Sequence, residues 1–327
     1  MKKSDQLVLV LGMHRSGTSA IAKRLESFGV NLGETLIPGK KDNIKGYQED
    51  ADFVEINRKI ISWLGGDAGA SLKQSRLILK DIPINYQIEA RKILADRAGK
   101  YNNFGVKDPR FCLLLPFWLP LLKESFEKIS IIFAYRNPAN VIASLVTRQD
   151  AHPEKSYYLW LQYVAISLND LSDHNFEFVN FDSLFEKGAY GTDKIFYHLS
   201  PEGQKPDINK INEYNEKWLD KKLRHHQLPS QEIEAYNVIP KEVKQLASLI
   251  EMVISGKLTK DSLEFRSALD SALEKLDELG ELLFYLEKKE NEVVGLRKDR
   301  RELTDIHASI FWKTISPLRN LLLGRDK

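Results

Sequence analysis

Residues Leu7 to Ser19, reading LVLVLGMHRSGTS, restrict the fold of this chain more than any other stretch. Leu7 to Leu11 is continuous, apolar and partly β-branched, as expected of a parallel strand covered on both faces. Gly12 and Gly17 then bracket four residues, and Thr18-Ser19-Ala20-Ile21-Ala22 opens a helical pattern. Glycines at both ends let successive backbone N–H groups turn inward, and the new helix directs its positive end at the same point. The stretch therefore reads as a strand, an anion-binding loop and a helix, with a phosphate as the expected occupant.

The spacing matches the first part of the nucleotide-binding pattern Gly-x-x-x-x-Gly-Lys-[Ser/Thr], but Thr18 stands where the lysine should be. That lysine reaches the β- and γ-phosphates of a nucleoside triphosphate, so its absence weakens an ordinary kinase or ATPase reading. The nearest cation is Arg15, inside the loop. Arginine stays protonated and clamps anions with its planar fork, which suits it to stabilising charge on a bridging oxygen rather than to donating a proton. A plain glycine turn with Arg15 in solvent is the competing explanation.

Charge argues against a general polyanion partner. Among 327 residues, 48 basic and 46 acidic side chains leave a net charge of +2, so nucleic acid is not implied and any anion site must be local. Cys112 is the only cysteine, which excludes a disulfide framework or a cysteine-rich metal site within one chain and suits a reducing compartment. The apolar run after Met1 to Gln6 is short and leads to His14 and Arg15 rather than to a cleavage site, and no stretch approaches the roughly 20 apolar residues of a bilayer span. The expected location is cytoplasmic.

Along the chain, strands alternate with helices. Ile21, Ala22, Leu25 and Phe28 recur at helical spacing before Gly29, and a polar loop from Asn31 to Lys45 leads to Glu49 and Asp50 at the start of a helix through Phe53, Ile56, Asn57 and Ile60. A helix over 84–98 precedes a short strand, Asn103 to Val106, which stops at Lys107-Asp108-Pro109-Arg110. An apolar helix from Leu113 to Phe126 is expected to kink or restart at Pro116 and Pro120. Ile129 to Tyr135 is another buried strand, broken at Arg136-Asn137-Pro138, followed by a helix that carries Ser144, a helix from Tyr157 to Leu171, and a last strand from Phe176 to Phe181 ending at Asp182. The predicted class is α/β, with a mainly parallel sheet, helices on both faces and a P-loop NTPase-like core over 1–235. Residues 236–327 form an α-helical C-terminal extension. Leu269, Leu276 and Leu283 fall at seven-residue steps with Leu279 and Leu286 between them, but Glu290 and Arg297 break that register, so a coiled coil and a hairpin packed on the core both remain open.

Three strand ends thus carry chemistry: Gly12 to Ser19, Lys107 to Arg110, and Arg136 with Ser144. In this combination the chain resembles sulfotransferases that use 3′-phosphoadenosine 5′-phosphosulfate (PAPS), over roughly residues 6 to 230 and closest to the bacterial and Golgi-type branch. The resemblance implies that Gly12, His14, Arg15, Ser16, Gly17, Thr18 and Ser19 hold the 5′-phosphosulfate. It also implies that Arg136, with a serine eight residues later at Ser144, holds the 3′-phosphate. A second phosphate pocket would account for the missing lysine, because PAPS has no γ-phosphate. The implied product is 3′-phosphoadenosine 5′-phosphate (PAP), and no metal is expected.

The chain departs from the cytosolic branch of that family, which has lysine at the Arg15 position and a histidine base after the second strand, where this chain has Lys107-Asp108-Pro109-Arg110. Related branches place a glutamate near the loop after the first helix, which makes Glu49 the candidate base and Asp108 its reserve. Capping of the following helix explains Glu49 as well. Lys107 and Arg110 could clamp a sulfuryl group or pair with Asp108; His14 shapes the loop or touches substrate; His225 and His226 are too isolated for a metal site. The basic amphipathic segment from Ala308 to Gly324 resembles the tail of some bacterial enzymes that build surface polysaccharides, which favours a carbohydrate acceptor and allows peripheral membrane contact or self-association through the C-terminal helices. An atypical P-loop kinase and a non-catalytic nucleotide-binding scaffold are the alternatives.

Overall fold

The computed structural model describes residues 4–39, 45–65, 82–149, 152–185, 195, 198–199, 207–219 and 239–309. Among them, β1 (Ser4–Leu11), β2 (Asn103–Lys107), β3 (Phe126–Tyr135) and β4 (Phe176–Asn180) form one sheet in the order β2-β1-β3-β4, with every pairing parallel. Leu7 lies beside Phe104 and Ile129, and Leu9 beside Val106 and Ile131. Alternation along the strands then sends Leu7, Leu9, Leu11, Ile131 and Phe133 into one core and Val8, Val10, Ile132 and Ala134 into another. A strand buried on both faces has no polar side to show, which is why Leu7 to Leu11 reads as an unbroken apolar run.

Helices cover both faces, as expected. α1 (Thr18–Leu25) packs on the smaller core, which also takes Val30 and Leu32. The larger core is closed by α2 (Ala51–Trp63), α3 (Ile84–Lys100), α4 (Phe111–Ser125), α5 (Pro138–Gln149) and α6 (Pro153–Asp170). α7 (Ile208–Lys217) lies against α1, where the Tyr214 hydroxyl donates to the Ala20 carbonyl at 2.8 Å. In α4 the helical geometry breaks at Leu114 (φ −120°, ψ 15°), upstream of both prolines. Pro116 has no N–H to give the Cys112 carbonyl, and the Ser167 hydroxyl donates to that carbonyl instead, at 3.0 Å.

The segment after α1 is more ordered than a polar loop. Leu36 and Asp50 form an antiparallel bridge, flanked by Ile37 N–H donating to the Glu49 carbonyl at 2.8 Å and Ala51 N–H donating to the Thr35 carbonyl at 2.9 Å. This ladder delivers Glu49 and Asp50 to the start of α2, where the Asp50 side chain accepts from Asp52 N–H at 3.0 Å as the cap.

α8 (Lys241–Ile254) and the first turns of α9 (Leu263–Ala308) belong to the first of two compact units, Met1–Gly280, and bury Val243, Leu246, Ala247, Ile250, Phe265, Ala272 and Leu276 in the larger core. The second unit is Glu281–Lys327. No helix among the described residues is long and apolar enough to cross a membrane. His225, His226 and residues 310–327 of the basic tail lie outside the described residues.

Candidate active site

Four strands that all run one way put their carboxyl ends on one edge, and the reversal of strand order between β1 and β3 opens a crevice there, where ligands of open α/β sheets bind. The loop from Gly12 to Gly17 leaves β1 at that crevice. Gly12 has φ +133° and Gly17 φ +81°, and neither position has room for a side chain. A Cβ on Gly12 would lie 2.5 Å from the Ala134 carbonyl oxygen, and one on Gly17 would lie 2.0 Å from the Phe181 ring. Gly12 N–H donates to the Cys112 sulfur at 3.1 Å and Ser16 N–H to the Met13 carbonyl at 3.2 Å, so α4 and an internal turn hold the loop in shape. Arg15 itself is left-handed, with φ +71°, and Gln48 has φ +55°. Among the described residues these are the non-glycine positions with positive φ, and both lie at this edge. Strain of that kind, about 1–3 kcal/mol each, persists where surroundings enforce it and gathers at functional sites.

Arg15 and Ser144, distant in sequence, meet directly: Arg15 Nε donates to Ser144 Oγ at 2.9 Å, although Ser144 sits inside α5. Arg136, at the end of β3, is buried and aims at the same loop, with Nη1 donating to the Arg15 carbonyl at 3.4 Å. Its guanidinium lies 5.1 Å over the Phe181 ring, and its Nε is 3.8 Å from the Asp182 carboxylate. A cation over an aromatic face is attracted by the ring, which helps to hold the guanidinium at this edge. The residues on either side of it are braced from α8: the Tyr135 hydroxyl and Asn137 Nδ2 donate to Glu251 Oε1 at 2.9 and 3.1 Å.

The end of β2 forms the other wall. Lys107 Nζ donates to Glu49 Oε1 at 2.6 Å, with both side chains buried. Burial raises the Glu49 carboxyl above its ordinary pKa and outweighs the attraction of the Lys107 ammonium, whereas the nearby Asp108 adds to the rise. Asp108 is engaged on both oxygens: Oδ1 accepts from Arg110 N–H at 3.0 Å and Arg110 Nη1 at 2.8 Å, and Oδ2 accepts from Asn57 Nδ2 at 2.9 Å. Asn57 Oδ1 in turn accepts from Trp118 Nε1 at 2.7 Å. A fully buried carboxylate held this way anchors the end of β2.

His14 projects towards α6, its ring edge-on to Tyr163 at 5.5 Å and its Nε2 3.4 Å from the Tyr163 hydroxyl. Burial pushes its pKa down to about 3, with the cations of Arg110, Lys107 and Arg15 adding to the effect. The ring is uncharged at neutral pH and is a weak proton acceptor. Ser19 is tied sideways, its hydroxyl donating to the Tyr47 carbonyl at 2.9 Å, which links α1 to the residues leading into Glu49.

The structure therefore gathers Gly12 to Ser19, Glu49, Lys107, Asp108, Arg136 and Ser144 at one sheet edge. It adds groups that sequence reasoning did not select. Phe181 and Asp182 follow the fourth strand and could have been suspected from that position alone. Asn57 was visible as a polar residue on the apolar stripe of α2. Tyr163, Cys112 and Glu251 had no local signal. Among the described residues there is no cluster of three or more His, Cys, Asp or Glu side chains placed to hold a metal ion.

No family model matches the chain, and no curated protein matches it. Among solved structures, it is similar to the sulfotransferase domain from the olefin synthase of Synechococcus PCC 7002, at 15% identity and a TM-score of 0.42 over 77% of this chain and 96% of that one. It is also similar to the sulfotransferase STF9 from Mycobacterium avium, at 13% identity and a TM-score of 0.45 over 77% of each chain. Likeness at this level is silent on side-chain chemistry, which has to be read from the residues themselves.

Proposed function

We propose that this chain is a sulfotransferase that moves a sulfuryl group from PAPS to a hydroxyl or amine of an acceptor, with a carbohydrate or surface-glycan precursor as the acceptor class. The observation that carries the reading is the meeting of two anion-binding elements across β1 and β3: a glycine-bracketed loop without the triphosphate lysine, and Arg136 with Ser144, joined by the Arg15–Ser144 hydrogen bond of 2.9 Å. The donor set fits a nucleotide bearing two separate phosphates. The loop has the close backbone approach that a phosphate needs, since a Cβ at Gly12 or Gly17 has nowhere to go. Two arginines and a serine hydroxyl supply charge-assisted and neutral hydrogen bonds beside it.

PAPS, as the donor substrate, supplies the sulfuryl group and leaves as PAP. The loop and Arg15 stabilise the negative charge that grows on the departing 5′-phosphate oxygen, an electrostatic task that needs no reorganisation when the donors are already fixed. Lys107 stands beside Glu49, where its ammonium can follow charge on the transferred group. Glu49 accepts the acceptor's proton as the new S–O or S–N bond forms and the bond from sulfur to the phosphate oxygen breaks. Its raised pKa brings it nearer to neutral, which suits a general base. Asp108, held on both oxygens, keeps Arg110 and the end of β2 in place.

The test is calorimetric titration with PAP, and separately with ATP and magnesium, on wild type and Arg136→Ala. PAP is expected to bind without magnesium, and Arg136→Ala to weaken it by at least about tenfold, the loss of one charge-assisted contact of about 1.5–3 kcal/mol. Preference for ATP with magnesium, or unchanged PAP binding in the variant, would overturn the donor assignment in favour of an atypical kinase.

A further inference from the structure

Apart from Leu263, which is exposed, and Leu283, which is buried, the large apolar residues of α9 differ in burial between its first and second parts. Phe265, Ala272 and Leu276 are buried in the core of the first unit, with Leu269 and Leu273 packed against it. In the second unit, Leu282, Leu286, Val293, Leu296, Leu303 and Ile306 are exposed, Leu296 by 67%. Leu286 and Val293 continue the intermediate positions of the register of Leu269, Leu276 and Leu283, but Leu282, Leu296 and Leu303 do not, and that register fails at Glu290 and Arg297. In a heptad shifted to suit all of them but Ile306, which falls at g, Leu286, Val293 and Arg300 take the a positions, and Leu282, Lys289, Leu296 and Leu303 take the d positions. An isolated helix with one apolar stripe gains little from propensity alone and depends on a partner for that stripe.

We propose that residues 282–306 pair with the same residues of a second copy of this chain as a parallel two-stranded coiled coil. Charge complementarity selects this occupant. In the shifted heptad Glu292 is a g residue and Arg297 the e residue of the next heptad, so in a parallel, in-register pair each Glu292 meets Arg297 of the other copy, twice per dimer. Val293 at a followed by Leu296 at d is a pairing that favours two strands. Lys289, at d, is partnered on its own helix: its Nζ donates to Glu292 Oε2 at 2.8 Å and lies 5.7 Å over the Tyr285 ring. Its stem can line the seam while its head stays at the rim. Lys289 and Arg300 weaken such a seam and fix its register, as single polar core residues do. Gly295 falls at c, on the outer side, where no side chain is needed for packing. The stretch spans about three and a half heptads, within the length that sustains a coiled coil.

The test uses the full chain. Light scattering after gel filtration is expected to give about 75 kDa, twice the chain mass of 37.6 kDa. Leu286→Asp with Leu296→Asp is expected to give a monomer that binds nucleotide as the parent does. Leu286→Cys places one cysteine at an a position, and the native Cys112 is buried, so oxidation is expected to give a reducible covalent dimer. Glu292→Lys is expected to weaken association by roughly tenfold or more, by turning two attractions into repulsions, and adding Arg297→Glu is expected to restore it. A monomeric parent chain would mean that the stripe is covered within the chain, for instance by residues 310–327, and would overturn the proposal. So would a larger assembly, a charge swap that fails to restore association, or Leu286→Cys that does not cross-link.

Discussion

Replacing Lys107 with methionine removes the ammonium facing Glu49 and keeps most of the stem's packing. The Lys107 side chain is 2% exposed and that of Glu49 10%, with 2.6 Å between Nζ and Oε1. Deleting one partner of such a pair costs about 3–5 kcal/mol, mainly because the remaining charge is stranded in a poorly solvating site. Glu49 can escape that cost by taking up a proton. Burial already raises its pKa, and Lys107 is the strongest influence opposing the rise, so the variant's carboxyl should titrate higher still. A carboxyl whose folded pKa exceeds the unfolded value of about 4.3 binds more protons in the folded state, so the variant loses stability as pH rises from that value through the folded pKa. The expected loss is about 3–5 kcal/mol at pH 8 and clearly smaller at pH 5. Guanidinium unfolding of wild type, Lys107→Met and Lys107→Met with Glu49→Gln at the two pH values would measure it. The double variant should recover most of the loss at pH 8, since glutamine leaves no charge behind. Equal destabilisation at both pH values, or a double variant no better than the single one, would show that packing rather than an unpaired charge sets the cost, and the argument would fail.

Two further outcomes follow from the same wall and loop. Asn57→Ala removes the donor to Asp108 Oδ2 and the acceptor for Trp118 Nε1 in a fully buried place; a loss of about 2–4 kcal/mol is expected in denaturant unfolding, and a loss below about 1 kcal/mol would refute the bridging role. Gly17→Ala must hold an L residue at φ +81° and place its Cβ within the Phe181 ring, so PAP affinity should fall by about a hundredfold or more. Adding Phe181→Ala should return only part of it, because the clash is relieved and the backbone strain is not; wild-type affinity in Gly17→Ala would contradict the reading.

The elements legible in the sequence are those governed by short-range rules. Leu7 to Leu11 and Ile129 to Tyr135 declared themselves as central strands because burial on both faces removes every polar residue from the run. Gly12 and Gly17 declared the loop because both have a positive φ and neither has space for a side chain, Gly12 against the Ala134 carbonyl and Gly17 against the Phe181 ring. Arg136, Ser144 and Lys107 stood out by their places at or after strand ends, and all of them arrive at one edge because every strand is parallel.

Tertiary structure alone decided how those groups are occupied. The Asp108–Arg110 pair is local and was open to expectation, but nothing near residue 49 or 107 tells that Glu49 is buried against Lys107 or that Asp108 is also held by Asn57; those two pairings join groups 58 and 51 residues apart. The stack of Arg136 on Phe181, and the brace from Glu251 behind it, join β3 to β4 and to α8 in the same way. The leucines of α9 are the clearest case. Their spacing is helical throughout, and the sequence by itself determined that much. Which of them are buried depends on where the core ends, because hydrophobic burial is set by what surrounds a side chain and not by its own pattern.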